Sequence, residues 1–194
     1  MIQRIALADL TAFGAHQRGH FRLSSGLHSS DYLQCALYLA NPKRAGHVGQ
    51  LLAQTVMRST TKPDLVVAPA LGAMIVGHET ARAFGVPFIF TERVDRAMTL
   101  RRGFGIASNQ GVIVVEDVVT TGKSTKEVVQ VVQSLGGYVL GVASIVNRSG
   151  VENPFDPVPF HGLLQVDFPL WERTECPLCR EGKPIVKPGS RPVK

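Results

Sequence analysis

Apolar and polar positions recur along this chain with two periods, and the changes of period mark its elements. Ile2, Ile5, Leu7 and Leu10 form a stripe at helical spacing, which predicts a helix over 2–12. Two short strands follow, one at Phe21-Arg22-Leu23 and one beginning at Ser30-Asp31-Tyr32-Leu33-Gln34, with Ser24-Ser25-Gly26 as a turn between them. Asn41-Pro42 predicts a helix start. Asparagine accepts from the first unpaired N–H groups, and proline lacks an N–H that would go unpaired there anyway. That helix runs to about Arg58.

From Asp64 the chain alternates. The pattern predicts strands at 64–68, 87–91, 112–115 and 138–146, and helices at 72–84 and 123–135. Val112 to Val115 is an apolar, β-branched run of the kind found in strands buried on both faces. Alternating strands and helices predict an α/β fold, a mainly parallel central sheet flanked by helices, as a single domain over 1–194. Ligands of such sheets bind beyond the carboxyl ends of the strands, which singles out the loops after Ala68, Thr91 and Glu116. From Asn153 the chain is proline-rich. Pro154, Pro157, Pro159, Pro169, Pro177, Pro184, Pro188 and Pro192 exclude long helices. This tail is expected to wrap the core or form a small subdomain, with disorder from about Pro188.

Candidate chemistry concentrates in V-I-V-V-E-D-V-V-T-T-G-K-S at 112–124. Two acids follow the predicted strand, and a hydroxyl-rich turn with one glycine opens the next helix. Backbone N–H groups at such a turn suit a phosphate, and the carboxylates of Glu116 and Asp117 suit hydroxyls or a metal-bound sugar. A ligand bearing both a phosphate and a diol fits best. The loop is not a Walker loop, because Glu116 stands where that motif needs its first glycine. Residues 91–109 carry Arg93, Arg96, Arg101 and Arg102. They read either as a basic loop closing over a diphosphate or as a solvated hairpin with arms at Met98-Thr99-Leu100 and Phe104-Gly105-Ile106. Residues 20–34 suit a planar base or form an ordinary hairpin, and in A-P-A-L-G-A at 68–73 a strand ends and Gly72 opens the next helix, a simple tight βα turn being the plainer alternative.

Composition narrows the class. The chain has 194 residues, 44% hydrophobic and 19% charged, enough for one sizeable core. No apolar run approaches the roughly 20 residues of a membrane span. The amphipathic N-terminus lacks the pattern of a signal peptide, so a cytoplasmic location is expected. The net charge of +6 is dispersed, with no block of five basic residues, which fits a small polyanionic substrate better than nucleic acid. Cys35 reads as a small core residue. Cys176 and Cys179 form half of a zinc-type set that His161 or a partner chain would have to complete, or else are reduced surface thiols or a redox pair. His16, His20, His28, His47, His78 and His161 show no metal spacing and read as surface or helix-face residues. No protein-held metal is expected.

The 116–124 segment resembles the 5-phosphoribosyl diphosphate (PRPP) motif of type I phosphoribosyltransferases. Phe21-x-Leu23-x-Ser25-Gly26-x-x-Ser29 with Tyr32 resembles the hood of the orotate phosphoribosyltransferase family, and Asn147-Arg148-Ser149-Gly150 resembles its orotate-contacting segment. The likeness covers about residues 10–150. It implies transfer of phosphoribosyl from PRPP to orotate, a step of pyrimidine synthesis, with Mg²⁺ held mainly by PRPP and water, and hood elements at about 1–40 and 153–187. By resemblance Glu116 and Asp117 hold the ribose hydroxyls, and Val118, Val119, Thr120, Thr121, Gly122, Lys123 and Ser124 hold the 5′-phosphate. Ala70, Leu71 and Gly72 offer backbone N–H groups to the diphosphate. Arg93, then Arg102, are the loop contacts to it, and Thr120, Arg148, Ser25 and Gly26 meet orotate. Loops of this family reach into a neighbour's site, which implies a homodimer. Ser24 stands where many members have lysine, and Glu92-Arg93 and Arg101-Arg102 replace a lysine- and histidine-bearing loop. A purine-base phosphoribosyltransferase and a non-catalytic, PRPP-sensing nucleic-acid-binding regulator are the alternative readings.

Overall fold

The structure is a computed structural model that describes residues 4–23 and 25–188. The predicted helix start at Ile2, the turn residue Ser24 and the stretch from 189 lie outside the described residues. Among the described residues eight strands and six helices follow in order: α1 (Leu7–Ala12), β1 (His16–Arg22), β2 (His28–Leu33), α2 (Cys35–Leu39), α3 (Pro42–Val56), β3 (Leu65–Pro69), α4 (Met74–Phe84), β4 (Phe88–Val94), β5 (Ala97–Leu100), β6 (Gly111–Val119), α5 (Lys123–Ser134), β7 (Tyr138–Asn147), β8 (Phe160–Gln165) and α6 (Pro177–Arg180).

The main sheet has the order β5-β4-β3-β6-β7-β8. All its pairings are parallel except β4–β5. Side chains of alternate residues point to opposite faces. Thus Val66 and Ala68 of β3, with Ile113 and Val115 of β6, pack towards α3 and α4, whereas Leu65, Val67, Val112 and Val114 pack towards α5. This double burial explains the unbroken apolar runs. Asn41 caps α3 as expected, its Oδ1 accepting from the N–H groups of Lys43 at 3.0 Å and Arg44 at 3.3 Å.

Several expectations need correction. β6 runs through Glu116 and Asp117 to Val119, so the acids lie within the strand rather than after it. Pairing with β7 carries the ladder that far, with Glu116 opposite Ser144 and Val119 opposite Asn147. The tail contributes β8, a parallel sixth strand beside β7, although its prolines hide the signal. In the basic stretch the return strand is Ala97–Leu100. Phe104-Gly105-Ile106 is not a strand; Phe104 packs edge-on against Phe90 at 5.2 Å.

β1 and β2 form a separate antiparallel hairpin. The tail flanks it on both sides: Val186 pairs with Phe21 and Trp171 with His28. No helix among the described residues is long and apolar enough to cross a membrane.

Candidate active site

The sheet places the end of β6 next to the turn after β3. Gly122, at φ 69°, lets the chain leave β6 and enter α5 within three residues of Val119. The first-turn N–H groups of α5 have no intrahelical partners and face outward from its start, where 120–124 lie.

Glu116 and Asp117 point to opposite faces and are not equivalent. Glu116 is buried, and Thr125 Oγ1 donates to its Oε2 at 3.1 Å. Burial, with the negative charge of Asp117 adding to it, pushes the Glu116 carboxyl well above the usual carboxylate range. Asp117 is half-buried, and its Oδ1 accepts from the N–H of Val118 at 2.8 Å. Its carboxylate lies against Gly72, so that a Cβ there would come within 2.9 Å of Oδ2. Two segments predicted separately, the turn at 70–72 and the end of β6, thus meet. The Ala70 N–H donates to Thr91 O at 2.8 Å, which ties the first loop to the end of β4, and Leu71 is fully presented at the surface.

Arg148 follows β7, its backbone N–H donating to Val119 O at 2.9 Å. Its guanidinium carbon lies 5.3 Å from the centre of the Phe168 ring. Its Nη2 is buried and has no hydrogen-bond partner in the protein. Burial lowers its pKa, partly opposed by the charge of Asp31. Strand β2 comes near this region. Asp31 acts electrostatically on Arg148, while Tyr32 is held above its ordinary pKa by burial first and by Asp117 second.

The remaining predicted residues are dispersed. Arg93 pairs with Glu127 of α5, and Arg102 forms a two-pronged pair with Glu92, both contacts at 2.9 Å. In this arrangement both loop arginines are engaged by carboxylates of their own chain. Ser25 and Gly26 sit at the exposed hairpin tip, where Gly26 borders a cavity of about 420 Å³ with Arg22, His28, Arg173 and Ile185. A larger cavity of about 840 Å³ opens between the hairpin and the tail, lined by His16, Asp31 and Phe168 among others, and not by Glu116 or Asp117.

Sequence reasoning missed Thr125 and Phe168. Neither carries a local signal, since a threonine in a helix and a phenylalanine in a proline-rich tail are commonplace. It also misplaced three histidines. His16, His20 and His28 are buried rather than on the surface. His16 Nε2 lies 2.8 Å from Asp31, and its ring stacks on Phe168 at 5.1 Å. The cysteine pair is approached by His20 and His28, not by His161, which is half-buried on β8.

Residues 36–171 match the phosphoribosyl transferase domain family. The chain is 51% identical over 173 residues to the orotate phosphoribosyltransferase of Carboxydothermus hydrogenoformans, covering 89% of this chain and 90% of that one. The chain belongs to the orotate phosphoribosyltransferase family. Solved structures agree in fold. The orotate phosphoribosyltransferase of Aeropyrum pernix superposes with a TM-score of 0.72 at 22% identity, covering 84% of this chain and 94% of that one. An adenine phosphoribosyltransferase from Thermoanaerobacter pseudethanolicus gives 0.62 at 18% identity, covering 70% and 88%. The purine-base enzyme therefore shares the fold, while the close sequence relative carries the orotate name.

Proposed function

We propose that this chain transfers the phosphoribosyl group of PRPP to orotate, giving orotidine 5′-monophosphate and diphosphate. The carrying observation is Arg148, whose buried Nη2 lacks a partner. An unpaired buried donor is unfavourable, and a planar carboxylate satisfies it with charge-assisted hydrogen bonds. Orotate has such a carboxylate, and adenine and uracil do not.

In the reaction the C1–oxygen bond of the ribose breaks, its electron pair leaves with diphosphate, and orotate, entering as the anion already deprotonated at N1, bonds through N1 to C1. The chain's contribution is position and charge. The α5 start and the 120–124 turn hold the 5′-phosphate through N–H groups. Asp117 accepts hydrogen bonds from the ribose hydroxyls. Glu116, anchored by Thr125, sets the end of β6 from which Asp117 projects. The 70–72 backbone approaches the diphosphate because Gly72 leaves room beside Asp117. Arg93 and Arg102 exchange Glu127 and Glu92 for diphosphate oxygens when substrate arrives.

The half-buried Asp117 carboxylate beside an open loop offers the hard oxygen donors that suit Mg²⁺, most of whose ligands would be PRPP and water. There the ion would supply positive charge to offset that of the diphosphate as it leaves. A homodimer is part of the reading. Phe13, Leu37, Leu71 and Ile75 expose large apolar surface, and light scattering on the eluting protein would report one subunit or two.

The test is a base panel. With PRPP and Mg²⁺ present, orotate, uracil, adenine, guanine and hypoxanthine are offered singly, and nucleotide formation is followed by chromatography. Orotidine monophosphate as the dominant product supports the reading. A purine nucleotide as the main product overturns it, and no product with any base favours a regulator.

A further inference from the structure

We propose that His20, His28, Cys176 and Cys179 form a structural zinc site that fastens the β1–β2 hairpin to the C-terminal tail. Their donor atoms all lie within 4.8 Å of one another. His20 Nε2 is 3.0 Å from His28 Nδ1, 3.4 Å from Cys176 Sγ and 3.7 Å from Cys179 Sγ, and Cys179 Sγ is 3.4 Å from His28 Nδ1. A tetrahedral zinc with bonds of about 2.3 Å to sulfur and about 2.0–2.1 Å to nitrogen spaces its donors about 3.3–3.8 Å apart. Four of the six donor pairs thus stand 3.0–3.7 Å apart, close to that spacing.

Hydrogen bonding within the cluster is a poorer account. His20 Nδ1 lies 2.9 Å from the Lys183 carbonyl, which accepts only, so the ring proton sits on Nδ1 and Nε2 presents its lone pair inward. That one lone pair faces three neighbours. A carbonyl fixing the outer nitrogen of a histidine is also the usual support of a metal ligand. Three of the four side chains are buried, so the donors are shielded from water. Cys176 immediately precedes the short helix α6 as its N-cap and Cys179 lies within it, which brings both sulfurs to the side facing the hairpin histidines.

The site joins segments 156 residues apart in sequence. Backbone bonds from Val186 and Trp171 flank the same two histidines, and zinc would lock that strap in place. This role concerns the architecture and stands apart from the base or diphosphate used in catalysis.

The full chain is purified without chelator, desalted, and its metal measured by elemental analysis; zinc is then exchanged for cobalt. The expected result is about one zinc per chain, with the visible bands of tetrahedral cobalt and a near-ultraviolet thiolate band. Cys179→Ser should lose zinc and the thiolate band, while Cys35→Ser keeps both. Should Cys179→Ser fail to fold, alkylation of the wild-type chain decides: Cys176 and Cys179 are protected until a strong chelator is added. A metal-free chain that gives no cobalt spectrum, a Cys176–Cys179 disulfide, or cobalt bands unchanged in Cys179→Ser would overturn the proposal.

Discussion

Gly72, in the turn after β3, and Asp117, near the end of β6, stand so close that a single methyl group at Gly72 would come within 2.9 Å of the Asp117 Oδ2. Gly72→Ala therefore displaces the carboxylate or the loop. The expected outcome is a KM for PRPP raised about tenfold or more, corresponding to roughly 1.4 kcal/mol, with the far-ultraviolet circular dichroism unchanged. An unaltered KM would separate the two segments functionally.

Arg148→Gln removes the buried, unpartnered donor. The KM for orotate should rise by about a hundredfold, as for loss of a charge-assisted pair, while the KM for PRPP moves little. Thermal unfolding offers an independent check. Without substrate the variant should be no less stable than the wild type, because an uncompensated buried charge has gone.

Glu116 gives a pH-dependent prediction. Burial and the neighbouring Asp117 raise its pKa above the ordinary 4.5, so the folded state holds a proton that the unfolded chain releases first. Stability from this group is therefore fully present below about pH 4.5 and is lost as pH rises through the higher folded value. Glu116→Gln should melt at a higher temperature than the wild type at pH 8, and the difference should shrink as the pH is lowered towards 4.5. A difference that grows on acidification would contradict the assigned direction.

Arg102 pairs with Glu92 at the surface, where ion pairs contribute little to stability. Arg102→Ala should leave the melting temperature nearly unchanged. If the side chain turns to the diphosphate during the reaction, kcat falls by about a hundredfold, a typical loss for one transition-state donor. Steady-state kinetics beside a melting curve distinguishes the two roles.

Much of this was legible in the sequence for a physical reason. Strands β3 and β6 and helix α3 are announced by local chemistry, namely β-branched runs and an Asn-Pro cap. The 116–124 segment combines acids, hydroxyls and glycine in one stretch, so its fitness for a sugar phosphate can be read without a fold. β8 was hidden because its residues, Phe160–Gln165, gain strand structure from pairing with β7 rather than from their own pattern. The inequality of Glu116 and Asp117 was hidden too, since it arises from the pleat and from Thr125 on another element. The grouping of His20 and His28 with Cys176 and Cys179 depends on a tail that crosses the molecule, and no local spacing encodes that.

The most direct test of the central claim is orotate consumption, followed by ultraviolet absorbance, in wild type and in Asp117→Asn with PRPP and Mg²⁺ supplied. Loss of orotate that requires PRPP and is abolished in Asp117→Asn is the predicted result. Equal turnover by the two proteins would contradict the site described, and no orotate loss by the wild type would contradict the function.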